Sequence, residues 1–312
     1  MFNEKEKSGR PLRGRQTGHQ PNSTFFKSAG RRQFLSVLGR EPIEKLWVAD
    51  LKTIDNPCSI FDIPRMPTRY KMKIAYDGTN YSGWQVQPNH RTVQGEIEQL
   101  LSEMTGQKHV RVESSGRTDT GVHARAQVAH FDLEKPIDPK YFQRGLNAQI
   151  DRDIRIQTLE KASPGFHARF SAVGKEYRYF IYNGLVVPPT KRLYRLQEGR
   201  SLDIERMRSA AALLVGEHDF APFAANRKVP IKSTVRTIHS FHVRKHGADI
   251  TLKVQGNGFL YKMVRGLAGF LVHVGTGRLD PEAALDILGH GKRTAKVQTA
   301  RPQGLFLWKV FY

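Results

Sequence analysis

VRVESSGRTDTGVHARAQVAHF, residues 110–131, is the stretch from which the fold and the chemistry of this chain are both read. Strand-type residues stand on either side of its centre, Val110 to Glu113 before and Gln127 to Phe131 after. Between them, Gly116-Arg117-Thr118-Asp119-Thr120-Gly121 sets one carboxylate beside one guanidinium on a glycine-bracketed connection. A strand-to-strand connection holds functional groups out from a rigid scaffold, and its glycines supply positive φ or let a ligand approach the backbone. Taken in isolation, the same pattern also describes a tight turn whose exposed Arg–Asp pair adds almost nothing to stability.

Outward from this stretch, Tyr70, Met72, Ile74 and Tyr76 alternate with Lys71, Lys73 and Ala75, the period of a half-buried strand that stops at Asp77-Gly78. Val93, Ile97, Leu100, Leu101 and Met104 recur at helical spacing behind Thr92, a residue suited to an N-cap. A strand at Ile154 to Leu159 follows. The layout then repeats: a strand at Glu176 to Tyr182, a helix carrying Ile204, Met207, Ala211, Leu214 and Val215, and strands at Val235 to Arg244 and Asp249 to Gln255 joined at His246-Gly247. An apolar helix from about Phe259 to Val274, a shorter one from Pro281 to Leu288 and a last strand at Leu305 to Phe311 complete it. The expected fold class is α+β, with two ferredoxin-like halves, residues 68–172 and 173–312, whose antiparallel sheets flank a central basic cleft. Residues 1–67 mix Lys, Arg, Gly, Ser, Asn and Pro without a sustained period and read as a basic, disordered arm, apart from a short turn or strand at Ile43 to Leu51.

A chain of 312 residues has room for one large or two ordinary domains with cores of their own. Lys and Arg number 50 against 29 Asp and Glu, and the formal charge of +21 is spread along the chain, which points to a polyanionic partner. RNA or DNA fits best, with ribosomal association or an anionic membrane surface as competitors. The single Cys58 excludes an internal disulfide framework and a Cys-rich zinc site, and suits a reducing compartment. No apolar run approaches the roughly 20 residues of a membrane span, and no signal-peptide pattern opens the chain, so a soluble protein without a membrane partner is expected. Glu4 and Glu6 are out of place in a transit peptide. His123, His130 and His167 lack metal-ligand spacing, and no metal is expected.

GRTDTGVHARAQVAHF from Gly116 resembles the active-site segment of the TruA family of tRNA pseudouridine synthases. The resemblance extends in order through YDGTNYSGWQVQ from Tyr76, TVQGEIE from Thr92, FHARFSA from Phe166, KEYRYFIYN from Lys175, GEHDFAPF from Gly216, GFLYKMVRGLAG from Gly258 and QGLFL from Gln303. It covers about Tyr70 to Tyr312 and departs at Lys262, where relatives often carry His, and in the long N-terminal arm.

The resemblance implies isomerisation of uridine to its C-glycoside in the anticodon stem and loop of tRNA, at positions 38–40, with no cofactor and no metal. It also implies a cytoplasmic homodimer with the tRNA lying across both subunits. Asp119 is the catalytic candidate, because breaking an N-glycosidic bond builds positive character at C1′ that a carboxylate stabilises or captures as a nucleophile. Attack at C1′, addition to the ring and removal of the 2′ proton all remain open from sequence. Arg117 is placed to hold the carboxylate and, by resemblance, to fill the gap left by the extruded uridine; a phosphate contact is its alternative. Tyr177 is implied to stack on the uracil, with its hydroxyl as a relay for the C5 proton; core packing is the alternative. Arg169 and Arg265 are cationic candidates for the cleft, with a phosphate or structural contact as the alternative for each, and Leu305 is an apolar wall over the base, with core packing as its alternative. A non-catalytic RNA-binding protein is the first rival reading, and a metal-dependent nuclease, which needs clustered carboxylates, the second.

Overall fold

In the first half, the alternation of apolar and polar residues becomes β1 (Thr68–Tyr76), with Tyr70, Met72, Ile74 and Tyr76 all buried. The computed structural model describes residues 66–225 and 232–312; the arm up to Arg65, with its Ile43 to Leu51 stretch and Cys58, lies outside the described residues. Helix α1 (Val93–Thr105) opens where the Thr92 side chain accepts the Gly95 N–H and closes at Gly106 in the left-handed region. Then come β2 (Glu113–Ser114), β3 (His123–Leu133), α2 (Pro139–Gln149) and β4 (Ile154–Lys161). β1 pairs antiparallel with both β3 and β4, and β2 with β3. The chain order is βαββαβ and the spatial order β4-β1-β3-β2, a ferredoxin-like unit.

The second half repeats that plan. It runs through β5 (Gly174–Asn183), the short edge strand β6 (Leu196–Glu198), α3 (Ile204–Leu213), β7 (Gly216–Asp219), β8 (Val235–His246), β9 (Asp249–Gly256), α4 (Met263–Gly275), α5 (Ala283–Gly289) and β10 (Leu305–Phe311). The antiparallel order β10-β5-β9-β8 is that of the first half with two short edge strands added. The α+β expectation therefore holds. The two sheets are fused as well: β10 lies parallel to β3, with Phe306 opposite His123 and Leu307 opposite Ala124, so one sheet runs β4-β1-β3-β10-β5-β9-β8-β7. This parallel seam sits at the start of β3, where the Gly116–Gly121 connection enters the sheet.

The two faces of the sheet differ as period-two strands require. Tyr177, Tyr179, Ile181, Leu305 and Leu307 face inward and are buried. Helix α4, apolar almost all round, is itself buried; Gly269 lies so close to the chain after α5 that a Cβ there would stand 2.0 Å from the Gln298 carbonyl oxygen. On the opposite face, Arg125 and Arg178 sandwich the Trp308 ring at 4.4 and 4.0 Å.

Several elements differ from the sequence reading. Only Glu113 and Ser114 pair with β3; Val110 and Val112 are buried without joining the ladder, the Val112 N–H going instead to the Glu98 side chain at 2.8 Å. β3 begins at His123 rather than Gln127. Helix α2 was absent from the reading although Asp138 caps it and Pro139 opens it, because only Leu146 of this helix is buried and no apolar stripe marks it. Helix α4 starts at Met263 rather than Phe259, since Lys262 sits at φ 59° and cannot continue a right-handed turn.

Candidate active site

The connection from Ser115 to Val122 is tied down along its whole length. At its entry, the Ser115 N–H donates to Val128 O at 2.7 Å, the Ser115 hydroxyl donates to Gln127 Oε1 at 2.6 Å, and Gln127 Nε2 donates to Gly116 O at 2.7 Å. Lys175 reaches across from β5 and its Nζ donates to Ser115 O at 2.6 Å. Burial pushes the Lys175 ammonium down to about 8, and repulsion from Arg169 acts in the same direction. In the middle, the Tyr76 and Thr118 hydroxyls share a buried hydrogen bond of 2.8 Å, and the Trp84 N–H donates to Thr118 O at 3.2 Å. Gly83 passes beneath at φ 88°, where a Cβ would stand 2.6 Å from Thr118 O, so only glycine fits. At the exit, the Gly121 N–H donates to Tyr81 O at 3.3 Å and the Val122 N–H to Asp119 O at 3.1 Å.

Asp119 emerges from this clamp toward α4. Its Oδ2 lies 2.9 Å from Nη1 of Arg265, with the two side chains 19% and 12% exposed. Arg265 stands in the first turn of α4 and is fixed a second time by Nε donating to Ala300 O at 2.8 Å. The partners are 146 residues apart in sequence, one from each half of the fold. A charge-assisted bond from a guanidinium already anchored elsewhere holds the carboxylate in one orientation.

Tyr177 occupies the inner face of β5, buried, with its ring edge-on to Phe259 at 5.1 Å and 79°. Burial raises its hydroxyl well above the ordinary phenol value, and the Tyr76 hydroxyl and Asp119 carboxylate push the same way, so it is a neutral phenol near an anion. Tyr179, next on that face, donates its hydroxyl to Arg301 O at 2.7 Å, and Leu305 is its cross-strand partner in β10. Asp119, Arg265, Tyr177 and Leu305 thus gather around the β3–β10–β5 seam.

The other two cations are placed differently. Arg117 is exposed on the loop, two residues before Asp119. Arg169 is exposed in the turn before β5, its guanidinium 5.6 Å from the Phe170 ring centre, and makes neither a hydrogen bond nor an ion pair with Asp119. Among the described residues no three His, Cys, Asp or Glu side chains are grouped as metal ligands, and none of the helices is long and apolar enough to cross a membrane. His130 Nδ1 accepts the Ala168 N–H at 3.2 Å, and His167 Nδ1 accepts the Arg169 and Phe170 N–H groups.

Sequence reasoning missed the clamp. Tyr76, Gly83, Trp84 and Lys175 all lie inside the motifs quoted above, yet spacing does not say which backbone groups a side chain will meet.

The comparisons with known proteins agree with one another. A protein-family model described as tRNA pseudouridine synthase matches residues 72–171 and 210–312, which include both partners of the Asp119–Arg265 pair. The chain is 47% identical over 247 residues to tRNA pseudouridine synthase A of Listeria innocua, spanning 78% of this chain and 99% of that one. It is 48% identical over 242 residues to the enzyme of the same name from Geotalea uraniireducens, at 78% and 98% coverage. The equivalent protein of Oceanobacillus iheyensis is 43% identical over 244 residues, at 78% and 96%. The family model covers more than half of the chain and the relatives are matched over nearly their whole length, and on that ground the chain belongs to the tRNA pseudouridine synthase family.

Proposed function

We propose that this chain converts uridine to pseudouridine in the anticodon stem and loop of tRNA, at positions 38–40, with Asp119 as the reacting carboxylate. The reaction consumes no co-reactant: the N1–C1′ bond breaks, a C5–C1′ bond forms, C5 gives up a proton and N1 gains one. Asp119 acts as the nucleophile toward the positive character that develops at C1′. Arg265 keeps it aimed, Tyr177 lies against the uracil, and Leu305 lines the apolar side of the base. Arg117 and Arg169, both exposed, serve the strand outside, with Arg117 filling the space of the extruded nucleotide. Extrusion costs a few kcal/mol, which contacts of this kind offset.

The observation that carries this reading is the Asp119–Arg265 pair of 2.9 Å on a clamped loop at the junction of two halves. The test is incubation of the purified chain with tRNA transcripts tritiated at uridine C5. Tritium release without added cofactor, with pseudouridine mapped to the anticodon stem and loop, is the expected result. Binding without release across a full tRNA set would leave only an RNA-binding protein.

The same reading includes a basic arm of residues 1–67, halves at 68–172 and 173–312, a cytoplasmic setting and a homodimer carrying one tRNA across both subunits. Sedimentation with and without tRNA reads the stoichiometry.

A further inference from the structure

A cavity of about 540 Å³ opens beside the turn that leads into β10, and three arginines line it. Arg192 and Arg195 line it from the chain leading into β6, Gln197 from β6 itself, and Arg301 and Gln303 from the turn before β10. These five side chains offer only hydrogen-bond donors and amide oxygens, with no carboxylate among them.

Among the described residues, only one of the three arginines there has a carboxylate partner. Arg195 Nε lies 3.1 Å from Asp249 Oδ1, but the same carboxylate takes Lys191 Nζ on its other oxygen at 2.6 Å. Arg192 and Arg301 are exposed, and neither meets a carboxylate at ion-pair distance among the described residues. Arg192 is oriented by a 2.7 Å bond from Nη1 to Pro189 O, which leaves the rest of its fork unused. Surface arginines ordinarily lie beside a carboxylate or spread into solvent; here they converge on a hollow.

The size selects the ligand. A cavity of a few hundred cubic ångströms fits a group of small-molecule size rather than a bare ion. Guanidiniums match phosphate oxygens in bidentate geometry, and amides suit sugar hydroxyls. The location ties the cavity to the reacting centre: Arg301 O holds the Tyr179 hydroxyl, Ala300 O holds Arg265, and Gln303 stands two residues before Leu305.

We infer that this cavity is a phosphodiester subsite, which seats a backbone phosphate of the RNA strand that carries the target uridine. The inference rests on the reading of RNA as substrate and adds to it the place where the strand is gripped. A free phosphate or nucleotide shares the chemistry, and the experiment separates the two sources.

Binding of one tRNA is measured over a salt series for the parent chain, Arg192→Gln/Arg301→Gln, Arg192→Lys/Arg301→Lys, and Arg244→Gln on the exposed β8–β9 hairpin. Thermal melts with and without inorganic phosphate run alongside and report folding. Losing one neutralised phosphate flattens the slope of log affinity against log salt by about 0.7–0.9. That flattening is expected for the double Gln variant, with the Lys pair close to the parent slope and Arg244→Gln unchanged. An unchanged slope in a folded double Gln variant overturns the subsite. So does equal flattening by Arg244→Gln, which would reduce the effect to overall charge. Stabilisation of the parent by phosphate, lost in the double variant while its tRNA slope stays at the parent value, assigns the cavity to a free anion and overturns the strand. The slope is read without turnover; a parent that binds tRNA with the expected slope but releases no tritium breaks the functional proposal and leaves the subsite standing.

Discussion

Arg265 at the seam and the Arg192–Arg301 pair at the neighbouring cavity are the same residue type in opposite circumstances. Arg265 is 12% exposed and fully engaged, by Asp119 on one side and by Ala300 O on the other. Arg192 and Arg301 are exposed and meet no carboxylate among the described residues. The difference separates two uses of positive charge in a chain of net charge +21. Where a cation is paired and enclosed it fixes the geometry of one carboxylate, and where exposed cations line one hollow they make it attractive to an anion. Lys175 is a third case, a half-buried cation set against a carbonyl, with no ion pair among the described residues.

The sharpest break of this comparison removes the anion at the seam. Asp119→Asn keeps the shape and loses the charge, so turnover is expected to fall by about 10³-fold or more while tRNA affinity stays within a few-fold of the parent. Tritium release and filter binding on the same preparation check both halves; substantial residual release places the reacting carboxylate elsewhere.

Next in size is the other member of the pair. Arg265→Lys retains the charge but cannot hold Asp119 and Ala300 O together, and a loss of roughly 10- to 100-fold in kcat is expected, with Arg265→Met losing more. If Lys matches the parent, the fork does not orient the carboxylate and the contrast with the cavity reduces to charge alone.

Tyr177 tests whether the apolar side of the site depends on the ring or on the hydroxyl. Tyr177→Leu gives up the edge-on contact with Phe259 and is expected to cost about 1–3 kcal/mol in stability, read from urea unfolding, as well as activity. Tyr177→Phe should stay near parental stability. Parental turnover in Phe assigns the role to the ring, a stall in Phe to the hydroxyl, and parental rates in both variants to core packing.

The last expected effect is the pH response of Lys175, which leaves turnover aside and is read in stability alone. Its folded value of about 8 lies below its ordinary 10.5. Below pH 8 both states are protonated and the folded chain carries the full cost of the buried ammonium. Between 8 and 10.5 the unfolded chain still holds the proton that the folded chain has released, so stability rises with pH. The rise is at most about 3 kcal/mol, and Lys175→Met should lack it. Urea midpoints at pH 7, 8 and 9.5 compare the two. The window stops near pH 10 because the buried tyrosines, with values raised in the fold, oppose the trend above it. Parallel curves for parent and variant would mean that Lys175 titrates as an ordinary surface lysine.

How much of this was legible in the sequence depended on how local the cause was. β1 and α1 were readable because alternation and a 3.6-residue stripe record which face is buried, and Thr92 marks its own helix start. α2 was not read, because a helix that buries only Leu146 writes no stripe. The Gly116–Gly121 loop was found by its glycines and its Asp119, yet the clamp around it was invisible. Lys175 meets Ser115 O across strands 60 residues apart, and no periodicity encodes that meeting.

By itself, the sequence determined an α+β chain whose second half echoes the layout of the first, the basic character of the chain and the presence of one displayed carboxylate, since each is set by local composition and period. Only the tertiary structure decided that the repeats fuse through the parallel β3–β10 pair. That fusion is how Arg265 answers Asp119 from 146 residues away, while the pairing of β6 and β10 with β5 brings Arg192 and Arg301 to one cavity. The physical reason is the same in each case: pairing across a seam and convergence on a hollow are properties of distances in space, and the chain specifies those only once both halves have buried their apolar faces against a common sheet.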